Sequence, residues 1–206
     1  MHPSGSPLVV GDGDVTPSVR SYAITATTAI EAAGSSYSTG FDARPLSSVF
    51  SRNGGFYYTG GNVGASVAGF SVAAGSGVLT PLAGSPFNSG GVSTAAYATD
   101  SQGRLFLTDY NVVNDMRVFT MASGTPSGVT DNPFTSGLLE PIDGVLHPNE
   151  QFFFIADDGV NQIGSYQIGG SGAATTLTAV AGSPVASGGL LTIAGHESNR
   201  HVSICH

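Results

Sequence analysis

The sequence predicts an all-β protein assembled from one recurring four-stranded unit, and three observations carry that expectation. A short apolar segment with an aromatic anchor occurs four times, at Tyr22, Phe70, Phe119 and Tyr166, spaced 48, 49 and 47 residues apart. A polar turn followed by an apolar run precedes each anchor by about twenty residues. No stretch of ten residues or more carries the 3.6-residue apolar stripe of a helix, whereas short β-branched and aromatic runs bounded by Gly, Pro, Asn, Asp and Ser recur throughout.

Each element follows from its own residues. The polar turns are HPSGS at 2–6, SRNGG at 51–55, DSQGR at 100–104 and HPNEQ at 147–151, with a fifth, HESNR, at 196–200. The runs after them (7–10, 56–59, 105–108, 152–155 and 201–204) are apolar and rich in β-formers. The aromatic segments lie at 19–24, 67–72, 117–121 and 163–168. Downstream, LTPLAGSP at 79–86 is matched by LTAVAGSP at 177–184, two periods on. The Ala-rich run 23–33 has β-branched residues in its middle and sits where the sister units have strands, so it also reads as strand. The units fall at about 2–50, 51–99, 100–146 and 147–195, with the start of a fifth at 196–206, all in one domain.

Four strands at a period of forty to fifty residues is the pattern of a β-propeller blade. The elements LTPLAGSPF, DSQGRLFLTD and MRVFTM resemble the lactonase-family repeats. These are the YVTN-like, seven-bladed β-propellers that include 6-phosphogluconolactonases. The resemblance covers nearly the whole chain and implies about four blades of such a ring. Three arrangements fit that count: part of a larger propeller, a ring completed by self-association of two chains through strand pairing, or a four-bladed ring closed within one chain. The start at Met1, directly on a mid-unit turn, fits a truncated beginning.

Composition narrows the function classes. Charged residues are 10% of the chain, the basic ones are six Arg with no Lys, and the net charge is −8. Neither nucleic acid nor an anionic membrane surface suits that balance, since both need a basic face. No apolar run is long enough to span a membrane and no leader peptide is visible. The single Cys205 permits no internal disulfide. The Lys-free, Gly-, Ser- and Thr-rich surface fits a secreted or periplasmic protein.

In a propeller the innermost strands line the channel, and their entry loops share one face with the loops between second and third strands. Here the innermost strands are expected at 45–50, 92–98, 141–146 and 190–194. That face gathers Asp42, Arg44, Asp109, Glu140 and Asp157 as a polar funnel suited to a small-molecule or protein ligand, with Asp14, Asn62, Asn111 and Asp115 in the adjoining loops. Arg44 can grip a carboxylate or phosphate, and Glu140 or Asp143 can serve as base, which makes Arg44, Glu140 and Asp143 the catalytic candidates. The Asp side chains also fit a turn-capping role. No Asp-x-Asp-x-Asp-Gly loop or histidine cluster implies a metal, and no cofactor motif is present. His2, His147 and His196 read as turn residues.

The sequence thus favours a non-catalytic extracytoplasmic propeller module offering one loop face for binding. Two alternatives stay open: a 6-phosphogluconolactonase-like lactone hydrolase or a fragment of one, and a half-propeller that assembles by strand pairing.

Overall fold

A computed structural model of the chain describes residues 1–13, 16–41, 44–61, 63–110 and 116–189, and the backbone of 193–196 and 202–205. Four antiparallel sheets follow one another along the chain. The first contains β1 (Leu8–Asp12), β2 (Ser18–Ile24), β3 (Ala29–Glu31) and β4 (Tyr37–Ser38). The second contains β5 (Pro45–Phe50), β6 (Phe56–Gly61), β7 (Ser66–Ala73), β8 (Val78–Pro81) and β9 (Phe87–Asn88). In the third are β10 (Thr94–Thr99), β11 (Arg104–Asp109), β12 (Met116–Ala122) and β13 (Thr125–Gly128). The fourth has β14 (Pro141–Leu146), β15 (Phe152–Asp157), β16 (Gln162–Gly169), β17 (Thr176–Ala179) and β18 (Val185–Ala186). A two-stranded sheet of β19 (Ile193–His196) and β20 (Val202–Cys205) follows.

The arrangement is propeller-like. In the second, third and fourth sheets the strands lie in chain order from the innermost outward, and β10 is flanked by β5 on one side and β14 on the other. The first sheet begins at β1, the counterpart of the second strand elsewhere, and among the described residues nothing pairs with its other edge.

The same local bonds recur from sheet to sheet, which explains why the sequence repeats where it does. A side-chain oxygen accepts from the amide one residue before each aromatic anchor: Ser35 from Ser21, Ser85 from Gly69, Asn132 from Val118 and Ser183 from Ser165. The same four amides belong to residues whose carbonyls accept from Ala32, Leu82, Val129 and Val180. Each polar turn closes alike, with His2, Ser51, Asp100 and His147 donating to Pro7, Phe56, Arg104 and Phe152. The fourth residue of these turns has positive φ, as Gly5, Gly54 and Gly103 and, without a glycine, Glu150.

Cores form at the sheet-to-sheet junctions, because successive side chains on a strand point to opposite faces. Tyr57 joins Val9, Val19, Phe50 and Phe70 between the first two sheets. Its neighbour Tyr58 joins Val67, Leu105 and Leu107 between the second and third. Phe106 then faces the other way, onto Phe153, Ile155 and Tyr166 between the third and fourth. The Tyr58 and Tyr166 hydroxyls donate to the Gly124 and Ser136 carbonyls, both at 2.6 Å.

These tyrosines make the fold sensitive to alkali. Burial pushes the Tyr57 hydroxyl from 10.0 up to about 12, and it raises Tyr58 and Tyr166 as well. In the unfolded chain each ionises near 10, while in the folded chain each stays neutral to higher pH. Stability is therefore full below pH 10 and falls as pH rises through 12, by about 1.4 kcal/mol per pH unit for each such tyrosine. Urea midpoints measured at stepped pH, with tyrosinate absorbance followed in parallel, are expected to show this loss. A flat profile from neutral pH through 12 would contradict it.

Candidate functional site

The rim is built by what happens at the ends of β11 and β15. Asp109 closes β11 and is fully buried. Its carboxylate accepts from the amides of Val92 at 2.8 Å and Ser93 at 2.5 Å, and pairs with Arg117 Nη1 at 2.9 Å. Arg117 Nη2 in turn donates to the Gly90 carbonyl at 2.9 Å. A Cβ at Gly91 would stand 1.4 Å from Asp109 Oδ2, so the loop can wrap the carboxylate only because that residue is glycine. This capture also explains why β10 starts at Thr94 and not at Val92: the Val92 and Ser93 amides are spent on Asp109.

Asp157 does the same at the end of β15. It is fully buried and accepts from Leu139 at 2.5 Å, Glu140 at 3.2 Å and Gly159 at 2.8 Å. Asp12 holds the equivalent place on β1, but it is partly exposed and its carboxylate pairs with Arg20 Nε at 3.1 Å. Arg20 also reaches Glu31 Oε1 at 3.0 Å. Asp12–Arg20 and Asp109–Arg117 are thus one pairing at the same spacing in two sheets.

The candidate catalytic residues sit around this frame. Arg44 is exposed just before β5, and a Cβ at Gly13 would come within 2.9 Å of its Cγ, so that glycine makes room for the arginine stem. Glu140 precedes β14 and is half-buried, its own amide held by Asp157. Its Oε2 lies 3.5 Å from the Tyr110 hydroxyl, and the Glu140 charge, with smaller help from burial and Asp158, raises that hydroxyl's pKa. Asp143 is half-buried on β14 beside a bulge and accepts from the Gly144 amide at 2.8 Å. It lies near enough to Tyr97, on the adjacent β10, for its charge to add to the burial that raises that tyrosine. No ion pair between Arg44 and Glu140 is present among the described residues. Asp42 lies outside the described residues, as do Asp14, Asn62, Asn111 and Asp115.

Chemically, the rim offers half-buried carboxylates at Glu140 and Asp143, an exposed guanidinium at Arg44, and a phenol at Tyr110 beside one of the carboxylates. The Asp109 and Asp157 oxygens are taken up by the backbone and shape the rim from beneath. Sequence reasoning missed Tyr110 and the structural use of Arg117. The second was visible as an arginine eight residues after Asp in both 12–20 and 109–117.

No protein-family model and no curated protein matches the chain. Solved structures do match in fold. A 6-phosphogluconolactonase candidate from Bacteroides uniformis superposes over 90% of this chain at a TM-score of 0.74 and 16% identity. The periplasmic gluconolactonase of Pseudomonas aeruginosa superposes over 89% at 0.67 and 21% identity. A second 6-phosphogluconolactonase candidate, from Bacteroides fragilis, does so over 90% at 0.66 and 16% identity. The likeness is one of fold. This chain spans 53% of the length of each of the three. Among the described residues no helix is long and apolar enough to cross a membrane.

Proposed function

We propose that the chain is the propeller part of a sugar-acid lactone hydrolase. Arg44 holds an anionic group of the substrate, and Glu140 or Asp143 takes the proton of the attacking water. The observation that carries this reading is the fold likeness to such proteins along about nine-tenths of the chain. The rim chemistry agrees with it. Opening a lactone requires water to attack the carbonyl carbon, a base to receive the water's proton, and return of a proton to the ring oxygen as its bond to carbon breaks. Partly buried carboxylates on a rigid frame suit the base role, and an exposed guanidinium suits a carboxylate or phosphate on the substrate. In this reading Asp109 and Asp157 serve the ligand by fixing the backbone of the rim, and Asp42, two residues before Arg44 in the sequence, adds a carboxylate.

A count of about four blades in the frames 2–50, 51–99, 100–146 and 147–195 belongs to the same proposal. So do completion of the ring by a second copy and an extracytoplasmic location, one neighbour being itself periplasmic.

The test is turnover of a six-membered sugar-acid lactone by the protein. Glu140→Gln or Asp143→Asn, whichever removes the base, is expected to lower kcat by about 10²–10⁴-fold. Arg44→Ala is expected to raise KM for a phosphorylated lactone well above its effect on the uncharged one. Turnover undiminished in all three variants overturns the assignment, and no turnover at all in the assembled protein overturns the hydrolase.

A further inference from the structure

The strands that carry the rim at one end carry a second recess at the other. The turn 51–55 joins β5 to β6, and the turn 100–103 joins β10 to β11. Between them, facing away from the rim, lies a cleft of about 320 Å³. Ser51, Arg52, Asn53, Ser101 and the acid Asp100 form its polar walls, and Phe56 and Met121 its apolar floor. That volume is at the small end of the range for small-molecule sites.

The polar walls are biased toward donors. The two acids nearby are already engaged. Asp100 accepts from Arg104 Nε at 2.5 Å and from the amides of Arg104 and Gln102 at 2.9 and 3.0 Å. Glu150 accepts from the Ser101 amide at 3.0 Å and from the Ser101 hydroxyl, and pairs with Arg52 Nε at 3.5 Å. That last contact tethers the Arg52 guanidinium from the fourth sheet while leaving both Nη atoms without a partner among the described residues. Asn53 is fixed in the same sense. Its Oδ1 accepts from the Ser51 hydroxyl at 2.8 Å and the Gly55 amide at 2.9 Å, which commits the oxygen inward and leaves the NH₂ as its remaining polar group.

The floor is shaped as well. Phe56 packs so closely on Gly124 that a Cβ there would come within 2.4 Å of the ring, and Gly124 holds φ +88. A ring held that way, beside a thioether, accepts a flat apolar group by stacking and sulfur contact. A guanidinium whose two Nη atoms are unused keeps one N–H edge that suits a planar pair of anionic oxygens. Arg20, Arg104 and Arg117 each bond a carboxylate at 3.1 Å or less, whereas the Arg52 contact with Glu150 is longer, at 3.5 Å.

We propose that this cleft is a second binding site, taking a small aromatic carboxylate with its carboxylate on Arg52 and Asn53 and its ring on Phe56 and Met121. The site is independent of the rim and of the hydrolase reading. The probe is phenylacetate, titrated into the whole chain and followed by calorimetry, with phenylacetamide as the uncharged isostere. Phenylacetate is expected to bind, and phenylacetamide and the Arg52→Gln variant each to weaken binding by about tenfold or more. Because Arg52 is more than half exposed, its replacement leaves the fold intact. Arg20→Gln, at a paired surface arginine, is expected to bind as the parent does. The proposal is overturned if phenylacetate does not bind, if Arg52→Gln binds it equally well, or if the amide binds as tightly as the acid.

Discussion

Replacing Asp109 by alanine is expected to destabilise the protein by about 3–5 kcal/mol, the cost of breaking a buried charge pair from one side. The carboxylate has no exposure and holds two loop amides as well as Arg117. Its loss strands three donors at once, the almost wholly buried Arg117 guanidinium among them. Asp12→Ala is the internal control. It removes the same residue type from the same place on a strand, paired with an arginine at the same spacing, but the partners are 30% and 44% exposed. Exposed pairs contribute about 0–1 kcal/mol, so Asp12→Ala is expected to move the urea midpoint little. Equal midpoints for the two variants would mean that Asp109 is not the anchor of the rim. Because the Val92 and Ser93 amides both bond this carboxylate, a milder Asp109→Asn should also disturb the start of β10 before it unfolds the whole chain.

The contrast between Asp12 and Asp109 shows where sequence reading stops. Period and turn chemistry reveal the strands. The innermost strands expected at 45–50 and 141–146 are β5 and β14 to the residue, and the AGSP shared by 79–86 and 177–184 carries Ser85 and Ser183, which make the same hydrogen bond in two sheets. Those features are local, and the residues that make them are neighbours in sequence. Burial of an aspartate is not local. Asp109 and Asp157 are sealed by the loops that enter β10 and β14, whose amides they bind. Around Asp12 no such entry loop is present among the described residues, where no strand lies on the far edge of β1. Three aspartates with the same sequence surroundings therefore divide into two buried anchors and one surface ion pair. The same limit applies to Tyr110, whose place beside Glu140 depends on how the third and fourth sheets meet.

The second large effect is at Arg104, the bulkiest fully buried side chain among the described residues. Its Nε bonds Asp100 Oδ2 at 2.5 Å, its Nη1 lies 3.4 Å from Thr175 Oγ1 in the fourth sheet, and its guanidinium carbon stands 5.6 Å from the Phe106 ring centre. Arg104→Ala leaves Asp100 charged and buried and opens a void of several methylenes, so a loss of about 3–5 kcal/mol is expected. In a chain of this size that lowers Tm by about 10 °C, which calorimetry reads directly. The charge and the volume can be separated. Arg104→Met keeps most of the volume but still strands the Asp100 charge, and it is expected to cost nearly as much as alanine. Adding Asp100→Asn removes that charge while its Oδ1 still accepts from the Gln102 and Arg104 amides that close the turn. The double variant should therefore regain most of the lost stability, giving a coupling of at least about 1 kcal/mol in the double-mutant cycle. Strict additivity of the two substitutions would show that the pair is not coupled. The Arg104 contact with Thr175, just before β17, would then tie the third sheet to the fourth independently of the ion pair.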